Sequence, residues 1–205
     1  MAYTITSYEK RGSGKISMAG TTQVTANTAR AFRNVAVGAT IKSASIGAGG
    51  SATVTAKTDE THINVSAVDT FAAEDWTYIN PALELSGYYY IKHSKSDKPT
   101  ITPLVLKDSD SSYGSVGAGV ARDIQLSGWI ANATLAEREK NIAILESLTD
   151  GTQTRYGTCQ FTDESPARTS YVYVTSISWQ NGRDKPKWLD VMINMTEVKN
   201  RGSLS

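Results

Sequence analysis

The chain has 205 residues and a mass of 22.1 kDa, room for one large domain or two small ones. Its 21 Lys and Arg against 20 Asp and Glu leave a net charge of +1, without the cationic surplus that nucleic-acid binding draws on through counterion release. An apolar share of 40% is too high for a disordered chain, and no apolar run approaches the roughly 18 residues of a membrane span.

The single cysteine, Cys159, has no partner for an internal disulfide. The opening Met1-Ala2-Tyr3-Thr4-Ile5-Thr6-Ser7 lacks the charged and long apolar regions of a secretory signal, so synthesis and folding in a reducing cytoplasm are expected.

The pattern along the chain is period-two, with β-branched and aromatic residues between Gly, Ser, Asn and Asp clusters, which predicts a mainly β, antiparallel protein. Strands are expected at Tyr3 to Tyr8, Lys15 to Met18, Val35 to Ile46, Ala52 to Lys57 and His62 to Val68, all with small side chains. Asp69 to Trp76 is expected to be helical or irregular. Heavier strands follow at Tyr88 to His93, Thr100 to Lys107, Val120 to Ile130, Gln153 to Phe161, Thr169 to Trp179 and Trp188 to Val198. The polar stretches Ser94 to Lys98 and Asp108 to Gly119 are expected loops, and the first is the expected domain boundary.

One helix interrupts the strands. Thr134-Leu135-Ala136-Glu137 is a capping box, in which the Thr hydroxyl accepts from the third helical N–H and the Glu carboxylate reaches back to the cap. Leu135, Ile142 and Leu145 share a face, widened by Ile144 and Leu148, that predicts packing against a sheet, and Asp150-Gly151 supplies the stop. The helix is expected at about 134–149.

Candidate chemistries fail on context. Gly12-Ser13-Gly14-Lys15 lacks the spacing and the following helix of a phosphate loop, and Gly114, Gly117 and Gly119 lead into a strand. Asp108-Ser109-Asp110-Ser111-Ser112 opens like a calcium loop but has Tyr113 where the sharp turn needs Gly. Cys159 alternates onto the same face as Phe161, which predicts a buried, unreactive thiol. His62 and His93 have no Cys, His or carboxylate at metal-ligand spacing. No catalytic residue, metal ligand or cofactor site is assigned and no cofactor is expected. The aromatics Trp76, Tyr88-Tyr89-Tyr90, Trp129, Trp179 and Trp188 are expected chiefly in packing.

The strand Arg122-Asp123-Ile124-Gln125-Leu126-Ser127-Gly128-Trp129-Ile130, the helix through Glu146-Ser147-Leu148, the return strand from Gly151 and the hairpin Tyr171 to Trp179 with Trp188 to Val198 around Asn181-Gly182 form a familiar layout. It resembles the tube-type β-barrel of tailed-phage tail proteins, among them distal-tail, baseplate-hub and tail-tube subunits, over roughly Lys98 to Lys199. The resemblance implies a virion structural protein, made in the host cytoplasm, whose sheets join neighbours around a DNA conduit with the helix outside or at a junction. On this view 1–95 is a Thr/Ala/Gly-rich β region, either a second sandwich or an extension. Residues 96–199 are then an antiparallel β-barrel or sandwich with one helix, and 200–205 a flexible tail.

A homo-oligomeric ring, six-fold, is the expected assembly, with other tail proteins as partners and neither sequence-specific nucleic-acid binding nor a membrane span. Leu189, Val191, Ile193 and Met195 occupy the buried face of the last strand, and Trp188, Met192 and Val198 its other face. If that hairpin lies at a sheet edge, these three and Trp129 are the expected subunit contacts. A carbohydrate-binding β-sandwich is the alternative; an enzyme would need Asp108, Asp110 or Asp123 to converge with a histidine.

Overall fold

Alternation of apolar and polar residues builds most of what a computed structural model of the chain describes, namely residues 3–85, 92–104, 113–149, 158–164, 167–182 and 185–197. The first eight strands are β1 (Tyr3–Ser7), β2 (Lys10–Arg11), β3 (Ile16–Ala26), β4 (Thr40–Lys42), β5 (Ser51–Lys57), β6 (His62–Glu74), β7 (Thr77–Ile79) and β8 (Leu83–Leu85). After them come β9 (Lys92–Leu104), β10 (Tyr113–Ala131), helix α1 (Leu135–Leu148), β11 (Thr158–Glu164), β12 (Ala167–Gly182) and β13 (Lys185–Glu197).

The strands form two antiparallel sheets. The larger has seven in the order β8, β1, β11, β12, β13, β10, β9, and the smaller six in the order β2, β7, β4, β5, β6, β3. Neither closes on itself among the described residues, so of the two expected arrangements the sandwich-like one fits and the closed barrel does not. Each sheet has its own core. Ile16, Val24, Phe32, Ile41, Ile63 and Trp76 are buried in the smaller, and Ile5, Leu126, Phe161, Val172, Leu189 and Ile193 in the larger.

Sheet membership divides the chain differently from composition. The smaller sheet is built from Lys10 to Ile79, between β1 and β8, and both of those strands belong to the larger sheet. The expected boundary near residue 95 falls inside β9, where Lys95 pairs with Ile124 and Asp97 with Arg122. The polar 94–98 stretch is a strand because β10 supplies its hydrogen bonds, whatever its hydropathy. For the same reason 113–119, expected as loop, is the start of β10.

Two further expectations change. Asp69 to Glu74 extends β6 rather than forming a helix, held against β3 as far as Ile16 through three register shifts. Val35 to Ile46 keeps only Thr40–Lys42 as strand. There the buried Val35, Ala36 and Ala39 serve a turn, closed by Ala39 N–H donating to Ala36 O at 3.0 Å.

The capping box of α1 forms as expected: Glu137 N–H donates to Thr134 Oγ1 at 3.1 Å, and Glu137 Oε2 accepts from Thr134 N–H at 3.3 Å. The buried face is as expected at Ile144, Leu145 and Leu148 and departs from expectation at Leu135. Ala143, Ile144, Leu145 and Leu148 pack on the larger sheet, Ile142 is partly covered, and Leu135 is 55% exposed. The capped first turn, with its N–H groups turned to the polar cap, lies beyond the sheet.

In the link from β7 to β8, Asn80, 3% exposed, ties the exit of the inserted unit to its 34–36 segment. Its Oδ1 accepts from Ala36 N–H at 3.0 Å and its Nδ2 donates to Asn34 O at 2.8 Å, so both halves of the amide are used. Arg33 and Glu146 of α1 add an ion pair at 3.5 Å.

Two predictions follow from this packing. In urea melts Thr134→Ala should cost about 1 kcal/mol and Leu145→Ala about 2–5, whereas Leu135→Ala should change little. Asn80→Ala strands a buried N–H and a buried C=O, and should cost about 1–3 kcal/mol in the same assay. A Leu135→Ala loss as large as that of Leu145→Ala would contradict the orientation of α1.

Candidate functional site

The larger sheet has a face covered by α1 and a face left open. Alternation sorts β13 between them: Leu189, Val191, Ile193 and Met195 are buried, while Trp188, Asp190, Met192, Asn194 and Thr196 point the other way. On β10 Ile124, Leu126 and Ile130 go inward; Asp123, Gln125, Ser127 and Trp129 go outward. A bulge between Val174 and Ser176 of β12 turns Ile177 and Trp179 toward the core and Ser176, Ser178 and Gln180 to the open face.

The open face has two halves. In one, polar side chains bond across strands: Thr196 Oγ1 donates to Asp123 at 2.9 Å, Gln125 Nε2 to Asn194 Oδ1 at 3.1 Å, and Asn194 Nδ2 to Ser176 Oγ at 2.8 Å. In the other, Trp129 is 47% and Met192 41% exposed, at the sides of a shallow open depression of about 500 Å³. Ser127, Gly128, Ser178, Trp179, Gln180, Asp190 and Val191 also line it, and Gln180 Nε2 donates to Asp190 Oδ2 at 3.2 Å. Beyond the depression, Lys185 Nζ stands 3.7 Å from the centroid of the Trp188 ring.

Three of the four expected contact residues, Trp129, Trp188 and Met192, thus share one face; Val198 lies outside the described residues. They do not stand at an edge. β13 is flanked by β12 and β10, and the edges of this sheet are β8 and β9. A period-two pattern assigns a residue to a face but carries no information about which strands lie alongside, so the edge position expected for the final hairpin was beyond its reach.

The other singled-out residues take structural places. Gly12 packs beneath Trp76, where a Cβ would come within 1.9 Å of the indole, which accounts for that glycine without any phosphate. Trp76 is buried against Phe32 and Tyr78 at ring separations of 5.1 and 5.6 Å. His62 does have a carboxylate partner, three residues back: Asp59 Oδ2 lies 2.9 Å from its Nδ1. The Asp59 carboxyl is held down at about 2, first by the Thr61 N–H and hydroxyl and then by His62. His93 stands in β9 opposite Leu126, and Asp123 bonds to Thr196 rather than to a histidine. The Asp108 to Ser112 segment, Tyr88 to Tyr90, Asp150-Gly151 and 200–205 lie outside the described residues. Among the described residues no three His, Cys, Asp or Glu side chains converge as a metal site would require.

A second cleft, about 630 Å³, separates α1 from the 30–37 segment. Its charges answer one another: Arg30 pairs with Glu60 at 3.4 Å, Arg33 with Glu146, and Lys57 Nζ donates to Arg33 O at 2.7 Å. Burial holds Lys57 below the usual lysine range, against the pull of Glu60. This cleft is the joint between the inserted unit and the helix.

Neither a protein-family model nor a curated protein matches the sequence.

Cys159 is fully buried beside Phe161, and burial pushes its thiol up to about 11 from the model-peptide value of 9.0, offset in part by the Lys10 charge. The raised folded value means that stability is complete below pH 9 and declines between about 9 and 11, as the unfolded thiol ionises and the folded one does not. Cys159 should therefore resist thiol reagents at pH 8 in the native protein and react promptly in 6 M guanidinium. Fast native labelling would contradict its burial.

Proposed function

We propose that the protein is a structural component of a phage or phage-like tail, in the tube, the distal tail or the baseplate, assembling as a ring around the DNA conduit and catalysing nothing. The observation that carries this reading is that the seven-stranded sheet ends on two unlike strands, β9 and β8, neither flanked on its outer side by a further strand among the described residues. Backbone donors and acceptors along an edge invite another strand. Two different edges on one chain suit a head-to-tail joint, and such joints close into rings when the rotation between subunits permits.

The edges differ in charge as well as in length. β9 carries Lys92, Lys95 and Lys98 together with Pro99 and Pro103, features that discourage indiscriminate pairing. β8 carries the exposed Glu84, an acidic counterpart. The long edge of the smaller sheet, β3, is guarded differently, by three register shifts and by Gly20 at a φ of 70°. Assembly therefore runs through the larger sheet.

The resemblance of Lys98 to Lys199 to tail proteins supplies the setting, and a net charge of +1 suits a conduit that must not retain DNA. Six-fold symmetry, other tail proteins as partners, manufacture in the host cytoplasm and residence in the virion belong to the same proposal. No helix among the described residues is long and apolar enough to cross a membrane.

Imaging of particles that carry the protein, or of the protein mixed with its tail neighbours, should reveal cyclic symmetry with β9 of one subunit against β8 of the next. Glu84→Lys should weaken ring formation, with the variant monomer's melting recorded beside it as the folding control. A chain that stays monomeric with every neighbour would defeat the proposal.

A further inference from the structure

The polar groups of the open sheet face are unevenly committed. Those of Asp123, Gln125, Ser176, Asn194 and Thr196 are spent on one another. Around Trp129 the hydroxyls of Ser127 and Ser178 engage no partner among the described residues, where Asp190 is engaged through one oxygen, by Gln180. An indole nearly half exposed beside two open hydroxyls, an amide and a carboxylate is a combination that packing does not require. We propose that the depression between Trp129 and Met192 is a binding site for a neutral saccharide.

The chemistry selects the ligand class. An exposed indole face stacks on the C–H face of a pyranose, as it would on any flat apolar ring face. The surrounding groups match a polyol: Asp190 and Gln180 present acceptors to sugar hydroxyls, the serines act as donor or acceptor, and the Gln180–Asp190 bond holds its pair in place beforehand. A volume of about 500 Å³ falls within the range of small-molecule sites.

Nucleotides and other phosphorylated ligands also stack on tryptophan, but here they meet the Asp190 carboxylate, and no Lys or Arg is among the described residues that line the depression. Residues 123–131, 176–180 and 188–196, which make up this part of the face, contain no Lys or Arg. The site lies on β10, β13 and β12, interior strands of the sheet, so a ring joined at β8 and β9 leaves it uncovered. It does not depend on the ring.

The full chain should be applied to an array of neutral oligosaccharides built from glucose, galactose, mannose, rhamnose and N-acetylglucosamine, beside their phosphorylated counterparts and single-stranded DNA. At least one neutral oligosaccharide should be retained in preference to its phosphorylated form. Titrated with that oligosaccharide, Trp129→Ala should lose about tenfold or more in affinity while Trp129→Tyr keeps most of it. Asp190→Asn should weaken the neutral sugar and narrow its preference over the phosphorylated one. Both side chains, Trp129 and Asp190, are at least partly exposed, so unchanged thermal melts serve as the folding control. Absence of binding to every neutral sugar, binding indifferent to Trp129→Ala, or preferential capture of DNA would each overturn the assignment. A ring-former that binds no sugar removes this site alone, whereas a sugar-binder that never enters a ring removes the tail reading alone.

Discussion

The larger sheet depends on β1, a strand of five residues whose two partners, β8 and β11, lie far along the chain. β1 lies between β8 and β11, with Ile5 opposite both Leu83 and Phe161. Tyr3, Ile5 and Ser7 are buried, and the Tyr3 ring stacks on Phe161 at 5.9 Å between centroids. Remove β1 and two things happen together: β8 loses its neighbour in the sheet, and β11 becomes an edge. Because β1 precedes the inserted unit and β8 follows it, this one strand also brings both ends of that unit to the same side of the molecule. Asn80 then fixes the second crossing by holding Asn34 and Ala36 of the insertion.

Much of the local structure is legible in the sequence, and the reasons are local. Leu189, Val191, Ile193 and Met195 are all buried because a strand in one register has two faces and these residues fill one of them. The capping box works because its two hydrogen bonds lie within a single turn. Cys159 and Phe161 are buried together for the same period-two reason. The candidate face is legible to the same degree: Trp129, Trp188 and Met192 are assigned to it correctly by alternation alone.

What fails to be legible is long-range. Whether β13 is central or peripheral is decided by β10 and β12, and nothing in residues 185–197 encodes that. The change from small to heavy side chains near residue 95 does not say which sheet a strand joins: β9 runs through the 94–98 stretch and pairs with β10. Leu135 has the spacing of a core residue but stands one turn too early to reach the sheet. The 35–46 run is apolar enough for a strand, yet its buried residues serve a turn that covers the top of one core and touches the other. The Trp129 depression depends on three strands and a bulge in β12, a conjunction that no single segment contains.

The insertion of Lys10 to Ile79 between β1 and β8 also governs the order in which the chain can fold during synthesis. All six strands of the smaller sheet are complete once residue 79 has been made, and their pairings close among themselves. β1, made first, finds β8 only after that unit and β11 only when residues 158–164 appear. β1 therefore stays unpartnered while the smaller sheet is being made, and the larger sheet is complete only after β11, β12 and β13 have followed. Its two edges arise separately, β8 against β1 once residue 85 is made and β9 against β10 once residue 131 is. A nascent chain therefore carries the two edges on separate pieces until β11, β12 and β13 join them into one sheet.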